Sequence, residues 1–154
     1  MSRWIKRISI RVCWGVMRLT YKILNDAKTQ VKKAMATPEF REFIFAQEFT
    51  YTDHSRVFIY GKLIEPFAYN IKFFSVPWWR FWWRGVAGKI RRPSTILINR
   101  SYHPSNMNQL CGIVVHELCH LLKFSHGRNY LAGNTGPKYF NSVPVKVQKY
   151  VESM

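Results

Sequence analysis

The chain has 154 residues, 47% of them apolar, which fits one domain with its own core and excludes a mainly disordered chain. Lys and Arg total 24 against 8 Asp and Glu, a formal charge of +16; such a balance predicts an acidic partner, either nucleic acid or an anionic membrane surface. Three cysteines, Cys13, Cys111 and Cys119, exclude a disulfide framework and predict a reducing setting, the cytoplasm or a virus particle. No apolar run reaches the roughly 18 residues of a membrane span, and Arg11 and Arg18 interrupt anything like a signal-peptide core. The acid-free, Arg-rich start over residues 1–25 also suits an organelle transit peptide.

Residues 3–33 read as a cationic amphipathic helix. Ile5, Ile8, Val12, Val16, Leu19 and Ile23 fall on one stripe, and Arg7, Arg11, Arg18 and Lys22 on the opposite one. Gly15 and the alternation of Ile8, Ile10 and Val12 admit a break there. The basic face is either solvated or a surface for nucleic acid or anionic lipid. Thr37-Pro38-Glu39 is a helix start: a hydroxyl cap, proline in the first turn and a carboxylate at the positive end of the dipole. It separates a basic segment, 1–36, from a domain over 37–154. That second helix is expected to reach about Thr50, with Phe40, Phe43, Ile44 and Gln47 inward.

Arg56 to Ile64, rich in Val, Phe, Ile and Tyr, reads as a strand; Phe67, Tyr69, Ile71 and Phe73 alternate with other residues as a second one. Pro77-Trp78-Trp79-Arg80-Phe81-Trp82-Trp83-Arg84 then packs four tryptophans around two arginines, and no acid occurs between Glu65 and Glu117. Such a loop can stack bases and neutralise phosphate, lie at a lipid headgroup layer, dock on a protein, or bury its indoles as a local core. Thr95–Asn99 is a short apolar strand. A helix is expected from Ser105 or Asn106 to about Leu122, followed by a loop-rich tail and a short helix near Lys146–Glu152.

The expected helix carries His116-Glu117-Leu118-Cys119-His120. Imidazoles four residues apart project from one helix face, about 40° from each other, and can grip one metal ion. Glu117 sits beside them, placed to act on water activated by the ion rather than to bind it. Leu110, Val114, Leu118, Leu121 and Leu122 form an apolar stripe opposite, and Gly112 leaves space one turn before His116. His126 can join as a third ligand only if the helix ends near Lys123; Ser125, Gly127 and Asn129 are compatible with such an end. Three nitrogen ligands plus water is an open catalytic arrangement for zinc. Lys123 in a continuing helix would set a cation on the histidine face and weaken ion binding. Cys119 is a bystander or a fourth ligand.

His116-Glu117-Leu118-Cys119-His120-Leu121-Leu122, then His126-Gly127 and Tyr130, resembles the zincin metallopeptidases, and most closely the SprT-like and YgjP-like minimal zincins. The resemblance runs from the strand at Thr95 to Tyr130. It implies an α+β fold: a small zincin-like domain with a short mixed sheet packed on an active-site helix, here preceded by a basic amphipathic helix. It implies Zn2+ on His116, His120 and His126, Glu117 as general base, and Thr95–Asn99 lining the cleft and pairing with an extended peptide. His103, Tyr130 and Tyr139 are candidate donors to the oxyanion. The metzincins share the His-to-His spacing but want glycine at Lys123 and a methionine turn; the one later methionine is Met154.

The resulting expectation is a zinc metallopeptidase acting on protein substrates. SprT-like enzymes work on proteins attached to DNA, and the charge and the Trp-Arg loop suit a nucleic-acid setting. The alternative is a structural or adaptor protein of a virus particle or phage tail that keeps the scaffold with little or no catalysis. A third is a hydrolase at a membrane surface, anchored by Arg7, Arg11, Arg18, Lys22 and the tryptophan loop (Trp78, Trp79, Arg80, Trp82, Trp83, Arg84).

Overall fold

The structure, a computed structural model, describes residues 17–80, 85–127 and 136–154. The expectations placed on Arg7, Arg11, Cys13, Trp82, Trp83, Arg84 and Tyr130 lie outside the described residues. In chain order the elements are α1 (Tyr21–Met35), α2 (Pro38–Ala46), α3 (Arg56–Ile64), β1 (Asn70–Phe74), β2 (Gly88–Arg91), β3 (Thr95–Asn99), α4 (Met107–Leu121), α5 (Pro137–Phe140) and α6 (Val143–Glu152). This is a small α+β fold with a mixed sheet, as the sequence predicts.

The helices start where local chemistry says they should. Thr20 caps α1 by accepting from the Ile23 N–H at 3.2 Å, so the helix begins at Tyr21 and the expected helix over 3–33 does not include residues 17–20; its part before Met17 lies outside the described residues. Thr37 caps α2 through the Phe40 N–H at 3.2 Å, with Pro38 in the first turn. That helix stops at Ala46, short of Thr50. Asn106 caps α4 through the Gln109 N–H at 2.9 Å, and Gln109 reaches back to the Ser105 N–H at 2.6 Å, a reciprocal arrangement close to a capping box.

The segment expected as a strand over Arg56–Ile64 is a helix. Ser55 caps it by accepting from the Phe58 N–H at 3.2 Å. Ile59 and Leu63, four residues apart, are buried, whereas Val57, Phe58 and Ile64 are exposed. Apolar residues on every side hid the helical period, and the cap with one buried stripe overrides β propensity. The end of the chain is also more helical than expected: α5 (Pro137–Phe140) lies in the predicted loop, and the last helix begins at Val143 rather than near Lys146.

The sheet order is β1-β3-β2. β1 runs parallel to β3, with Ile71 opposite Ile96 and Phe73 opposite Ile98. β2 runs antiparallel to β3, with Ile90 opposite Ile96 and Gly88 opposite Ile98. Thr95–Asn99 is therefore the central strand, with both sides paired, and cannot take an extended peptide as expected. Among the described strands the edge beside α4 is β2.

One sheet face lies on the helices. Ile96 and Ile98 join Leu110, Val114, Val115 and Leu118 of α4 in the core, together with Leu24, Ala27 and Val31 of α1 and Val143, Val147 and Val151 of α6. α4 is thus wrapped by α1, α6 and the sheet. Full burial of a side chain such as Val114 contributes about 2 kcal/mol. Among the described residues no helix is long and apolar enough to cross a membrane.

Candidate metal centre

His116 and His120 occupy the last turns of α4, and the way that helix ends decides whether His126 can reach them. Leu122 is the C-cap. Lys123 follows with φ 72°, in the left-handed region. Its N–H donates to the His120 carbonyl at 3.1 Å, and the Phe124 N–H donates to the Cys119 carbonyl at 2.9 Å. These two bonds form a Schellman stop, a position that glycine normally fills. The chain reverses there, and Gly127 turns again with φ 76°. His126 is carried back over the end of the helix.

The three imidazoles meet. Ring centroids are 4.9 Å apart for His116 and His120, 5.2 Å for His116 and His126, and 4.7 Å for His120 and His126. One nitrogen from each ring lies within 4.8 Å of the others, and the group could hold a metal ion. The His116 and His120 Nε2 atoms are 3.2 Å apart.

The other nitrogen of each ring is tied down. Nδ1 of His116 lies 2.8 Å from the Gln148 Oε1, Nδ1 of His120 lies 2.9 Å from the Phe124 carbonyl, and Nδ1 of His126 lies 3.0 Å from the Gly127 carbonyl. Each partner is an acceptor, which assigns the proton to Nδ1 and leaves a lone pair on each Nε2. Lone pairs facing one another repel unless a cation sits among them. Carbonyl oxygens behind ligand histidines are the usual outer partners of a metal site.

The electrostatics point the same way. Burial, reinforced by the neighbouring His120 and His126, pushes His116 down to about 3, against a smaller opposing effect of Gln148. Burial also lowers His120, partly offset by its bond to Phe124. Neutral imidazole is the form that binds metal. Burial pushes Glu117 up to about 7. Its carboxylate stands outside the three-histidine group and packs against β2: a Cβ on Gly88 would come within 2.9 Å of its Cγ and 3.2 Å of its Oε1.

The remaining expected residues divide. Tyr139 reaches the site, its ring edge-on to His126 at 5.0 Å, and burial raises its hydroxyl above the ordinary tyrosine value. His103 is exposed on the loop after β3 and is no member of the cluster. Lys123 is exposed, because the left-handed turn takes it off the helix face. Cys119 is fully buried in the core, its thiol held well above the ordinary range, and it is not among the ligands. Cys111 is buried against the Ala27 carbonyl, and burial pushes it up to about 11. Gly112 does leave room, but Glu152 of α6 fills it: an added Cβ would meet its Cγ at 2.4 Å. Arg18, Lys22 and Arg80 are exposed, and so are Trp78 and Trp79, which excludes these two indoles as a local core.

Gln148, Glu152, Gly88 and Tyr51 belong to the surroundings of the site and were not singled out in the sequence. Gln148 binds His116, and its amide donates to the Glu152 Oε1 at 2.8 Å. The Tyr51 ring lies over Gly127, where a Cβ would meet it at 2.6 Å. The one sequence signal was a polar pair four residues apart, Gln148 and Glu152, on a helix with a Val-rich face. Compared with protein-family models, curated proteins and solved structures, the chain matches none.

Proposed function

We propose that this chain is a zinc-dependent metallopeptidase. The observation that carries the proposal is the convergence of one nitrogen each from His116, His120 and His126, with Nδ1 of every ring beside an oxygen acceptor. Three imidazoles, the one such group among the described residues, match the nitrogen-rich, open coordination of a catalytic zinc, whereas structural zinc takes four protein ligands. This favours catalysis over an adaptor that keeps a metal only as a staple. Zinc held there would act as a Lewis acid, lowering the pKa of water to about 7 and polarising a carbonyl.

The chain's own residues do the rest. Glu117, next to His116 and outside the ligand group, takes the proton of the attacking water and returns it to the leaving amine. Gly88 lets β2 approach Glu117 closely, so a peptide laid along the β2 edge would run past the base and pair with strand backbone. Tyr139, against His126, is the described hydroxyl best placed to donate to a developing oxyanion.

The test is a metal assay joined to a peptidase assay. One zinc per chain, with casein cleavage that Glu117→Gln abolishes while zinc is retained, is the expected result. Zinc loading without turnover in the unaltered protein would refute the peptidase. Absence of zinc would refute the centre itself.

A further inference from the structure

We infer that the turn Pro77–Arg80 and the outer face of the sheet form a docking surface for an anionic phospholipid membrane. This inference stands apart from the metal centre and from the peptidase reading.

The turn carries two exposed indoles at its corner. The Arg80 N–H donates to the Pro77 carbonyl at 3.0 Å, which sets Trp78 and Trp79 at the two central positions of a four-residue turn. Neither residue has a positive φ, so the backbone admits most side chains there and does not itself demand tryptophan. The two indoles are 76% and 57% exposed. Large apolar groups exposed together at a solvent corner mark a surface kept for binding.

The turn is presented from a fixed base. It lies in the connection from β1 to β2, which passes the C-terminal end of β3. There the fully buried Asn99 donates through its backbone N–H to the Ala87 carbonyl and through its side-chain amide to the Val86 carbonyl, both at 2.9 Å. The Arg100 N–H donates to the Phe74 carbonyl at 2.9 Å. Both ends of the connection are thereby pinned to the same point of the sheet.

The sheet behind it is cationic. Lys72, Leu97 and Lys89 share one cross-strand row, and Asn70, Thr95 and Arg91 the next. They alternate with Ile71, Ile96 and Ile90, which face the core. Lys72 on β1 and Arg91 on β2 are exposed and flank the buried Leu97, and Lys89 lies over the Phe74 ring at 4.2 Å. The chain between Glu65 and Glu117 contributes no carboxylate to this face.

The indole geometry selects lipid over nucleic acid. Trp78 and Trp79 pack edge to face, 5.9 Å apart with an interplanar angle of 86°, so they do not offer parallel faces to successive bases, as a stacking platform does. Insertion at the headgroup layer needs only indoles at a tip with cations behind them.

The experiment is co-sedimentation of the full chain with phosphatidylcholine vesicles, with and without phosphatidylserine, alongside binding of a labelled single-stranded oligonucleotide. The expected result is capture by phosphatidylserine vesicles with a blue shift of tryptophan emission. Trp78→Ala/Trp79→Ala and, separately, Lys72→Glu/Arg91→Glu should each weaken capture about tenfold. These side chains are exposed, and unchanged circular dichroism would confirm that the variants fold. Vesicle binding untouched by both double substitutions would overturn the inference. So would failure to bind vesicles together with oligonucleotide binding that depends on Trp78 and Trp79.

Discussion

The Gln148 side-chain carbonyl accepts a hydrogen bond from Nδ1 of His116 at 2.8 Å, and the Gln148 amide is held in turn by the Glu152 carboxylate at 2.8 Å. A residue of the last helix therefore fixes the tautomer and the plane of a metal-ligand candidate 32 positions earlier. Loss of such an outer partner typically costs 10–100-fold in metal affinity. Gln148→Ala should weaken zinc binding by about that factor, read by competition with a chromophoric chelator. Gln148→Glu, which keeps an acceptor oxygen, should lose less. Equal affinity in all three proteins would show that the bond does not orient the ring.

Gly112 belongs to the same connection. Its missing side chain makes room for Glu152, whose Cγ would lie 2.4 Å from a Cβ there. In Gly112→Ala the Glu152 side chain must leave, and Gln148 loses its anchor. The expected outcome is zinc affinity reduced in the direction of Gln148→Ala, with a stability loss of about 1–3 kcal/mol from overpacking. Chemical denaturation and the chelator competition read the two effects separately. Affinity equal to that of the unaltered chain would show that Glu152 is not needed to hold Gln148.

Lys123 occupies the left-handed residue of the Schellman stop at φ 72°, where a side chain carries strain that glycine lacks. Lys123→Gly should raise stability by about 1 kcal/mol, seen as a higher urea midpoint at unchanged slope, without loss of zinc. Destabilisation would mean that the lysine stem contributes packing beyond the backbone strain.

That turn also marks the limit of what the sequence revealed. The pair His116 and His120 was legible because a helix period of 3.6 maps spacing directly onto a face. The joining of His126 was conditional on a helix end near Lys123, and the Schellman bonds of Lys123 and Phe124 supply that end. The caps at Thr37 and Asn106 and the stripe of Leu110, Val114 and Leu118 were legible for the same local reasons. α3 was not, since Val57, Phe58, Ile59 and Tyr60 carry no apolar–polar period, and without one the Ser55 cap has no helix pattern behind it to mark it. β2 was not, because Gly88-Lys89-Ile90-Arg91 is too short and too cationic to read as a strand. Gln148 and Glu152 were out of reach: nothing in the spacing of α6 says which helix its polar residues will face.

Glu117 gives the site a pH signature in the metal-free protein. Its folded pKa, pushed from 4.5 to about 7 by burial, means the fold favours the protonated acid. That contribution is fully present below pH 4.5 and is lost as pH rises through 7. His116, lowered from 6.5 to about 3, acts in the opposite sense: the fold favours neutral imidazole, so its contribution is present above pH 6.5 and is lost as pH falls toward 3. Between pH 4.5 and 6.5 the Glu117 and His116 slopes oppose each other, and His120, also lowered by burial, adds to the His116 side, so Glu117 is read from the difference between the two proteins rather than from the wild-type profile. Glu117→Gln removes only the carboxylate. Its stability should match wild type near pH 4.5 and exceed it increasingly up to a plateau above pH 7, by on the order of 3 kcal/mol. Urea unfolding at about pH 4.5, 6 and 8 in chelator measures the difference. Parallel curves for the two proteins would show that Glu117 is solvated rather than buried against Gly88, and the base would then lack the environment this reading gives it.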